Sequence, residues 1–523
     1  MGVVTAPTGA YDYLVVGAGA AGCVLAARLS ENPDARVLLI EAGPDHRGLR
    51  EILDAAHWDA LIGGRLDYGY RSAPTPHVLG RSIAMPRGRV LGGSHSLNAA
   101  IWVRCLPSDF DGWAADGCPG WAWADVEPVY RRIEGWRGAP DPARGTGGLL
   151  PIEENQPMHP IQESIIDAAV EWGLERNPDY NSGSIEGVSR QQVTVEDGDR
   201  VSTWDAYAHP AVAAGTLDVR TGVVVRRVIV ADGRATGLEI EFDGQLEVLT
   251  ADEIVLAGGT FGSAEVLLRS GIGPAEQLAD HGIPLVADLP VGKNLHDHYL
   301  VPVIFGTERP VEAPAPHRSV TQSHWFWKSD PALEVPDTQP ITFSVPMLEP
   351  DMSFEGTGFT LMAGLVTTHS RGEVTLADAG DPAGIRIDPH VLEDPRDLAS
   401  ILASVRQCLE VGAQPALADA WGAAVVYPAP GAGDDALIAY IREHVITYHH
   451  QVGTCRMGSD DRAVVDPTLR VRGVAGLTVA DASVIPTVTT GNTNAPAAVI
   501  GEKAADFLLA SADAPVAVTN AAV

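Results

Sequence analysis

The chain has 523 residues, too many for one simple core, so two domains, or one large domain with a cap, is the expected plan. It is 45% hydrophobic and 20% charged, as in a folded soluble protein. It carries 36 basic against 68 acidic residues, and the formal charge of -32 argues against nucleic acid and anionic membrane surfaces as partners.

The first informative stretch is "YDYLVVGAGAAGCVLAARLSENPDARVLLIEAGP". Residues 13–16 form a short apolar run ending in glycine, the pattern of a buried parallel strand. Residues 20–29 are rich in helix formers and residues 37–40 form a second strand, so the chain opens with a β-α-β unit. No basic start with an apolar core precedes it, and no apolar run approaches the roughly 20 residues of a membrane helix. Gly2 is followed by Ala6 where a myristoylation pattern needs Ser or Thr. Cys23, Cys105, Cys118, Cys408 and Cys455 are scattered, with no C-x-x-C pair, which points away from a disulfide framework or a structural zinc. A cytoplasmic enzyme with no metal, monomeric or homodimeric, is the expectation.

Residues 53–148 are rich in Gly, Pro and Trp and read as loops and short helices. One helix is predicted in "HPIQESIIDAAVEWGLE". Residues 217–258 alternate, with turn signals at Asp232-Gly233 and Asp243-Gly244 that predict hairpins. "GSAEVLLRSG" reads as a helix closing on Gly271. Residues 300–395 are rich in strand formers, proline and aromatics, and predict an antiparallel sheet in a second domain. Amphipathic helices follow in "DPRDLASILASVRQCLEVGA" and "DDALIAYIREHVI". "GLTVADASVIP" returns to a buried strand, "APAAVIGEKAADFLLASA" makes a long helix, and the last ten residues read as disordered. The predicted class is α/β (α+β overall): a Rossmann-like domain with a second substrate or cap domain on an antiparallel sheet. Residues 1–155, 205–300 and 455–523 are assigned to the first domain, and 156–204 and 301–454 to the second.

Gly17, Gly19 and Gly22 form G-x-G-x-x-G between the first strand and the first helix. The first glycine permits the tight turn, the second lets backbone N–H groups approach a pyrophosphate, and the third permits close helix–strand packing. Glu41 ends the next strand, where a carboxylate suits ribose hydroxyls and disfavours a 2′-phosphate. The unit binds a dinucleotide, either NAD or FAD. Gly92-Gly93-Ser94 exposes further backbone N–H groups ahead of a predicted helix, a nest for a second phosphate or a flavin edge. "TYHHQVGTCRMG" leaves three chemistries open: a metal site, a thiol with its base, and a histidine base beside a cofactor.

"GRVLGGSHSLN", "GGTFGSAEVLLRSGIGP", "VGKNLHDH", "HQVGTCRMG" and "VADASVIPTVTTGNTNAPAAVIGEKAAD" together resemble, in order, motifs of the glucose-methanol-choline oxidoreductase family. The resemblance covers essentially the whole chain, most weakly over 300–395. It implies bound FAD, a small-molecule alcohol as substrate, and O2 or another electron acceptor. It assigns His450 as general base and, by spacing to Glu502, Asn494 as the partner that orients the substrate oxygen, with Asn492 as the competitor. At the ADP end it implies Gly17, Gly19, Ala21, Gly22 and Glu41. Gly92, Gly93, Ser94, Asn98 and Ala99 are implied along the pyrophosphate and ring, and Val224 near adenine. Asp481 and Ala482 are implied at the diphosphate-ribityl region, and Ala495 and Pro496 near the ring. The chain departs from the pattern at His95, Ala264 and His449. Leu97 stands where members with histidine-linked flavin carry that histidine, so the FAD is expected to be non-covalent. His449 is left between a buried structural role and a substrate contact. "SHWFWKSD" brings Trp325 and Trp327 together, either as packing or as a wall for the substrate. The rival reading is a non-redox flavin-containing lyase on the same fold, of the hydroxynitrile lyase kind.

Overall fold

The computed structural model describes residues 11–46, 48–155, 157–314, 317–378 and 384–512; the disorder expected of the last ten residues lies outside them. The opening strand, Tyr11–Val16, is nearly all buried because it is covered on both faces, as its continuous apolar run predicts. It lies parallel to Val37–Glu41 on one side and to the end of Gln245–Leu256 on the other. Asp218–Thr221 and Leu477–Val479 extend this parallel sheet at its two ends. Helix Ala20–Leu29 crosses between the first two strands and packs on helix Asn494–Ala512. A Cβ on Gly501 would lie 2.5 Å from the Ala21 carbonyl oxygen, so the two helices touch backbone to backbone there.

Strand Gln245–Leu256 serves two ladders. Its first half pairs antiparallel with Arg234–Phe242, and its second half enters the parallel sheet. Burial changes with the pairing, from alternating to continuous. The predicted hairpin turns are both present: Asp232 and Gly233 have φ of 49° and 74°, and Asp243 and Gly244 have φ of 50° and 74°.

The second sheet is antiparallel throughout. Its order is Ala424–Tyr427, Tyr299–Gly306, Gly358–Leu365, Ile341–Phe343, Ser323–Phe326 and Gly187–Arg190, with Ile446–Thr447 also beside Tyr299–Gly306. Helix Pro395–Gly412 covers one face: Ser404 Oγ accepts from the Gly364 N–H at 3.1 Å. The predicted helices form over Pro160–Trp172, Gly259–Arg269, Asp434–His444 and Asn494–Ala512. The helix expected after Gly92-Gly93-Ser94 is only a single 3₁₀ turn, Gly93–Ser96. Asn98 Oδ1 takes the Ala100 N–H, and Ala100 turns the chain away at φ 59°. Among the described residues no helix is long and apolar enough to cross a membrane.

Candidate active site

The ends of the parallel strands and one face of the antiparallel sheet enclose a cavity of about 540 Å³, within the range of small-molecule sites. The three fingerprint glycines divide the work. Gly17 has φ 101°, and a Cβ there would lie 2.4 Å from the Ala257 carbonyl oxygen. A Cβ on Gly22 would lie 2.0 Å from the Gly17 carbonyl oxygen. Gly19 has nothing within 4 Å of that position, and its backbone faces the cavity. Two glycines therefore bring backbones together and the third leaves room for a phosphate.

Glu41 sits at the same end. Its Oε2 accepts from the Ala18 N–H at 2.9 Å and its Oε1 from the Gly43 N–H at 2.8 Å. Burial pushes its carboxyl up to about 7, against the pull of those N–H groups. Ribose hydroxyls would complete its solvation. The open Gly19 backbone and this acid fit the ADP half of FAD.

Ala21, Gly93, Ser94, Asn98, Ala99, Val224, Asp481 and Ala482 also line the cavity. Asp481 is fixed by the Gly259 N–H at 2.8 Å and the Ser263 hydroxyl at 2.5 Å. Four expected cofactor residues stand off the wall. Gly22 packs beneath Gly17. Gly92 donates its N–H to the Ala18 carbonyl at 2.7 Å and holds the turn from behind. Ala495 and Pro496 follow Asn494 in the first turn of the last helix, where the helical period turns Asn494 and Ala497 to the cavity instead.

At the other end stands His450. Its Nδ1 lies 3.0 Å from Nδ1 of His298, with the rings at 84°. Tyr448 stacks on it with ring centroids 4.7 Å apart. Burial lowers His450 well below the usual imidazole value, and His298, His449 and Arg87 lower it further. Burial likewise pushes His298 down to about 3. Two neutral imidazoles thus share one hydrogen between their Nδ1 atoms.

Asp297 holds this arrangement from behind. Its Oδ1 accepts from the backbone N–H groups of His298 and His450, each at 2.8 Å. Its Oδ2 accepts from Gln451 Nε2 at 2.6 Å and from the Thr447 hydroxyl. His449, at φ 70°, has its carbonyl held by Arg87 Nη2 at 2.7 Å, and its ring Nδ1 has no hydrogen-bond partner. Asn494 and Asn492 both line the cavity. Asn494 Nδ2 has no partner, whereas Asn492 Oδ1 accepts from Gln339 Nε2 at 3.2 Å.

Cys455 is fully buried and its thiol is pushed up by burial, the opposite of what a nucleophile needs. Neither Trp325 nor Trp327 reaches the cavity. Trp325 points to the helix side of its sheet and donates to Gln407 Oε1 at 2.9 Å. Trp327 packs edge-on against Trp172, centroids 5.6 Å apart. Sequence reasoning did not single out His298 and Asp297, although both lie in "VGKNLHDH"; their pairing with His450 spans about 150 residues and depends on sheet register.

Family models described as GMC oxidoreductase match residues 11–300 and 368–501. The chain is 36% identical to an oxygen-dependent choline dehydrogenase of Rhizobium etli, over 95% of each chain. It is 38% identical to an uncharacterized GMC-type oxidoreductase of Mycobacterium bovis, over 95% of this chain and 99% of the relative. Its fold superposes on the crystal structure of pyridoxine 4-oxidase from Mesorbium loti with a TM-score of 0.89 at 34% identity, covering 95% of this chain and 98% of that one.

Proposed function

Since the chain belongs to the GMC oxidoreductase family and is an FAD-dependent alcohol oxidoreductase, we propose that it oxidises a primary or secondary alcohol to the carbonyl with His450 as the base. The observation that carries this reading is the neutral His450 on the wall of a cavity whose far end fits a dinucleotide, paired through Nδ1 with His298 behind it. FAD held there would supply the two-electron acceptor for the carbinol hydride, to be reoxidised by O2 or another acceptor.

The protein's own part is positioning and proton transfer. Gly19, Ala21, Glu41 and Val224 would hold the ADP half, and Gly93, Ser94, Asn98, Ala99, Asp481 and Ala482 would hold the remainder. His450 keeps its hydrogen on Nδ1, directed at the bare Nδ1 of His298, so Nε2 takes the hydroxyl proton. His298 is a positioning residue: it fixes the tautomer and shares the positive charge that develops on His450. Asn494 offers its free Nδ2 to the substrate oxygen, and as an uncharged amide it adds no second titrating group. His449 stands beside this site as a further substrate contact.

Non-covalent FAD is supported by His95, both of whose ring nitrogens are engaged, Nε2 with Thr194 Oγ1 at 3.1 Å and Nδ1 with the Thr203 N–H at 3.2 Å. Acid precipitation should leave the yellow colour in the supernatant. The proposed division into an FAD domain (1–155, 205–300, 455–523) and a cap (156–204, 301–454) is supported by strand membership in the two sheets. Anaerobic addition of an alcohol panel to the holoenzyme tests the function. Bleaching of the flavin is expected; a flavin that stays oxidised while the protein cleaves cyanohydrins would establish the lyase reading instead.

A further inference from the structure

The register of the antiparallel sheet decides the chemistry of the substrate end. Side chains alternate along a strand, and directly paired residues share a face. His298 and Leu300 are two apart on one run of chain, and Leu300 pairs with Ile446. Ile341 pairs with Met362, and Phe343 lies two residues further along the same strand. The face that presents His298 to His450 therefore also presents Leu300, Ile341, Phe343, Met362 and Ile446, and all five line the cavity. Trp58 closes over them, its ring 6.3 Å from that of Phe343. None of these six side chains is charged.

Charge sits elsewhere on the wall, and it is already engaged. Glu41 and Asp481 hold backbone N–H groups among the parallel strand ends. Asp67 accepts from the N–H groups of Gly63, Gly69 and Arg87. Glu265 accepts from Arg269 Nε at 2.9 Å. Beside the histidines stand the cation Arg87 and the already engaged Asp67, both close enough to act on His449.

We infer that the substrate is an alcohol with an uncharged apolar body, an aryl or branched-alkyl carbinol, and that alcohols bearing a quaternary ammonium group are rejected. An ammonium entering this cup would lose its water, find no carboxylate among the cup's own six side chains, and face Arg87. The ring faces of Phe343 and Trp58 return only part of that cost. The inference rests on the proposed alcohol-oxidising role of the cavity, and it runs against simple transfer of substrate from the choline-named relative.

The test compares choline with its carbon isostere, in which a tert-butyl group replaces trimethylammonium, and with benzyl alcohol. Binding to the oxidised holoenzyme is followed by perturbation of the flavin spectrum, and flavin reduction is followed anaerobically. The isostere and benzyl alcohol are expected to bind at least about 100-fold more tightly than choline, the scale of an uncompensated buried charge. Met362→Glu, or Leu300→Glu should the first fold poorly, is expected to narrow that ratio. Choline binding as tightly as its isostere, or bleaching the flavin faster, overturns the inference and leaves alcohol oxidation standing. A preserved binding preference with no alcohol bleaching the flavin upholds the apolar cup and removes the alcohol-oxidation reading.

Discussion

The parallel sheet meets the cavity with its strand ends, and the antiparallel sheet meets it with a face. At the strand ends, recognition is by backbone: Gly17 and Gly22 close on each other so that Gly19 stands open, and one acid, Glu41, completes the edge. On the sheet face, recognition is by side chains gathered from strands far apart in sequence, with His298 and His450 at one side and an apolar cup beyond. A backbone cradle suits a ligand that every relative shares, because it depends on little more than glycine. A side-chain face can change with each substitution, which suits a substrate that differs between relatives.

This contrast can be broken in a definite order. His450→Ala removes the proposed base from the second sheet's side and should slow flavin reduction by roughly 10²- to 10⁴-fold, read by anaerobic stopped flow, with FAD still bound. A near-normal rate would separate the sheet face from the chemistry. Gly22→Val acts on the other side. With its Cβ 2.0 Å from the Gly17 carbonyl, the turn cannot keep its shape, and the purified protein should lose most of its flavin absorbance. Full flavin content would show that the strand ends do not hold the cofactor. Trp325→Ala empties a fully buried site on the helix side of the sheet, at a cost of about 3–5 kcal/mol in denaturant unfolding, with KM unchanged for every alcohol oxidised. A raised KM with intact stability would bring that ring back to the substrate.

The smallest effect is one of pH. Burial pushes His95, His298, His324 and His449 down to about 3 in the folded chain. Unfolded, each titrates near about 6.5. As pH falls from about 6.5 toward 3, the unfolded chain takes up protons that the folded chain refuses, so stability present above that window drains away within it. Thermal unfolding should therefore move steadily to lower temperature on acidification through the window, and an unchanged Tm would contradict burial of these rings. His324→Phe should remove part of the slope.

The same contrast explains which parts of the molecule are legible in its amino-acid sequence. Gly17, Gly19, Gly22 and Glu41 lie within one short β-α-β unit, where spacing alone fixes who meets whom. The two Asp-Gly hairpins are legible for the same reason, since each is decided by two adjacent residues. The antiparallel sheet is foreseeable as a sheet, but its register is not, and register chooses the face. Parity along one strand sends Trp325 to the helix and leaves His324 on the opposite side, so a cluster of aromatics in sequence becomes no cluster in space. Helical phase does likewise at the start of the last helix, where Asn494 and Ala497 face the cavity and Ala495 and Pro496 do not. His298 lies within a motif that the sequence makes conspicuous, but its partner is 152 residues away and only the fold introduces them.

Asp297 never touches the cavity wall, yet its one carboxylate spaces the two imidazoles by gripping the chain beneath each of them. The proposed proton-handling pair is thus bolted from the rear, independent of what upholsters the front. A lineage could reshape Leu300, Ile341, Phe343, Met362 or Ile446 for a new alcohol while the imidazole spacing stays put, and a mutagenesis survey confined to first contacts would overlook the residue that makes such drift tolerable.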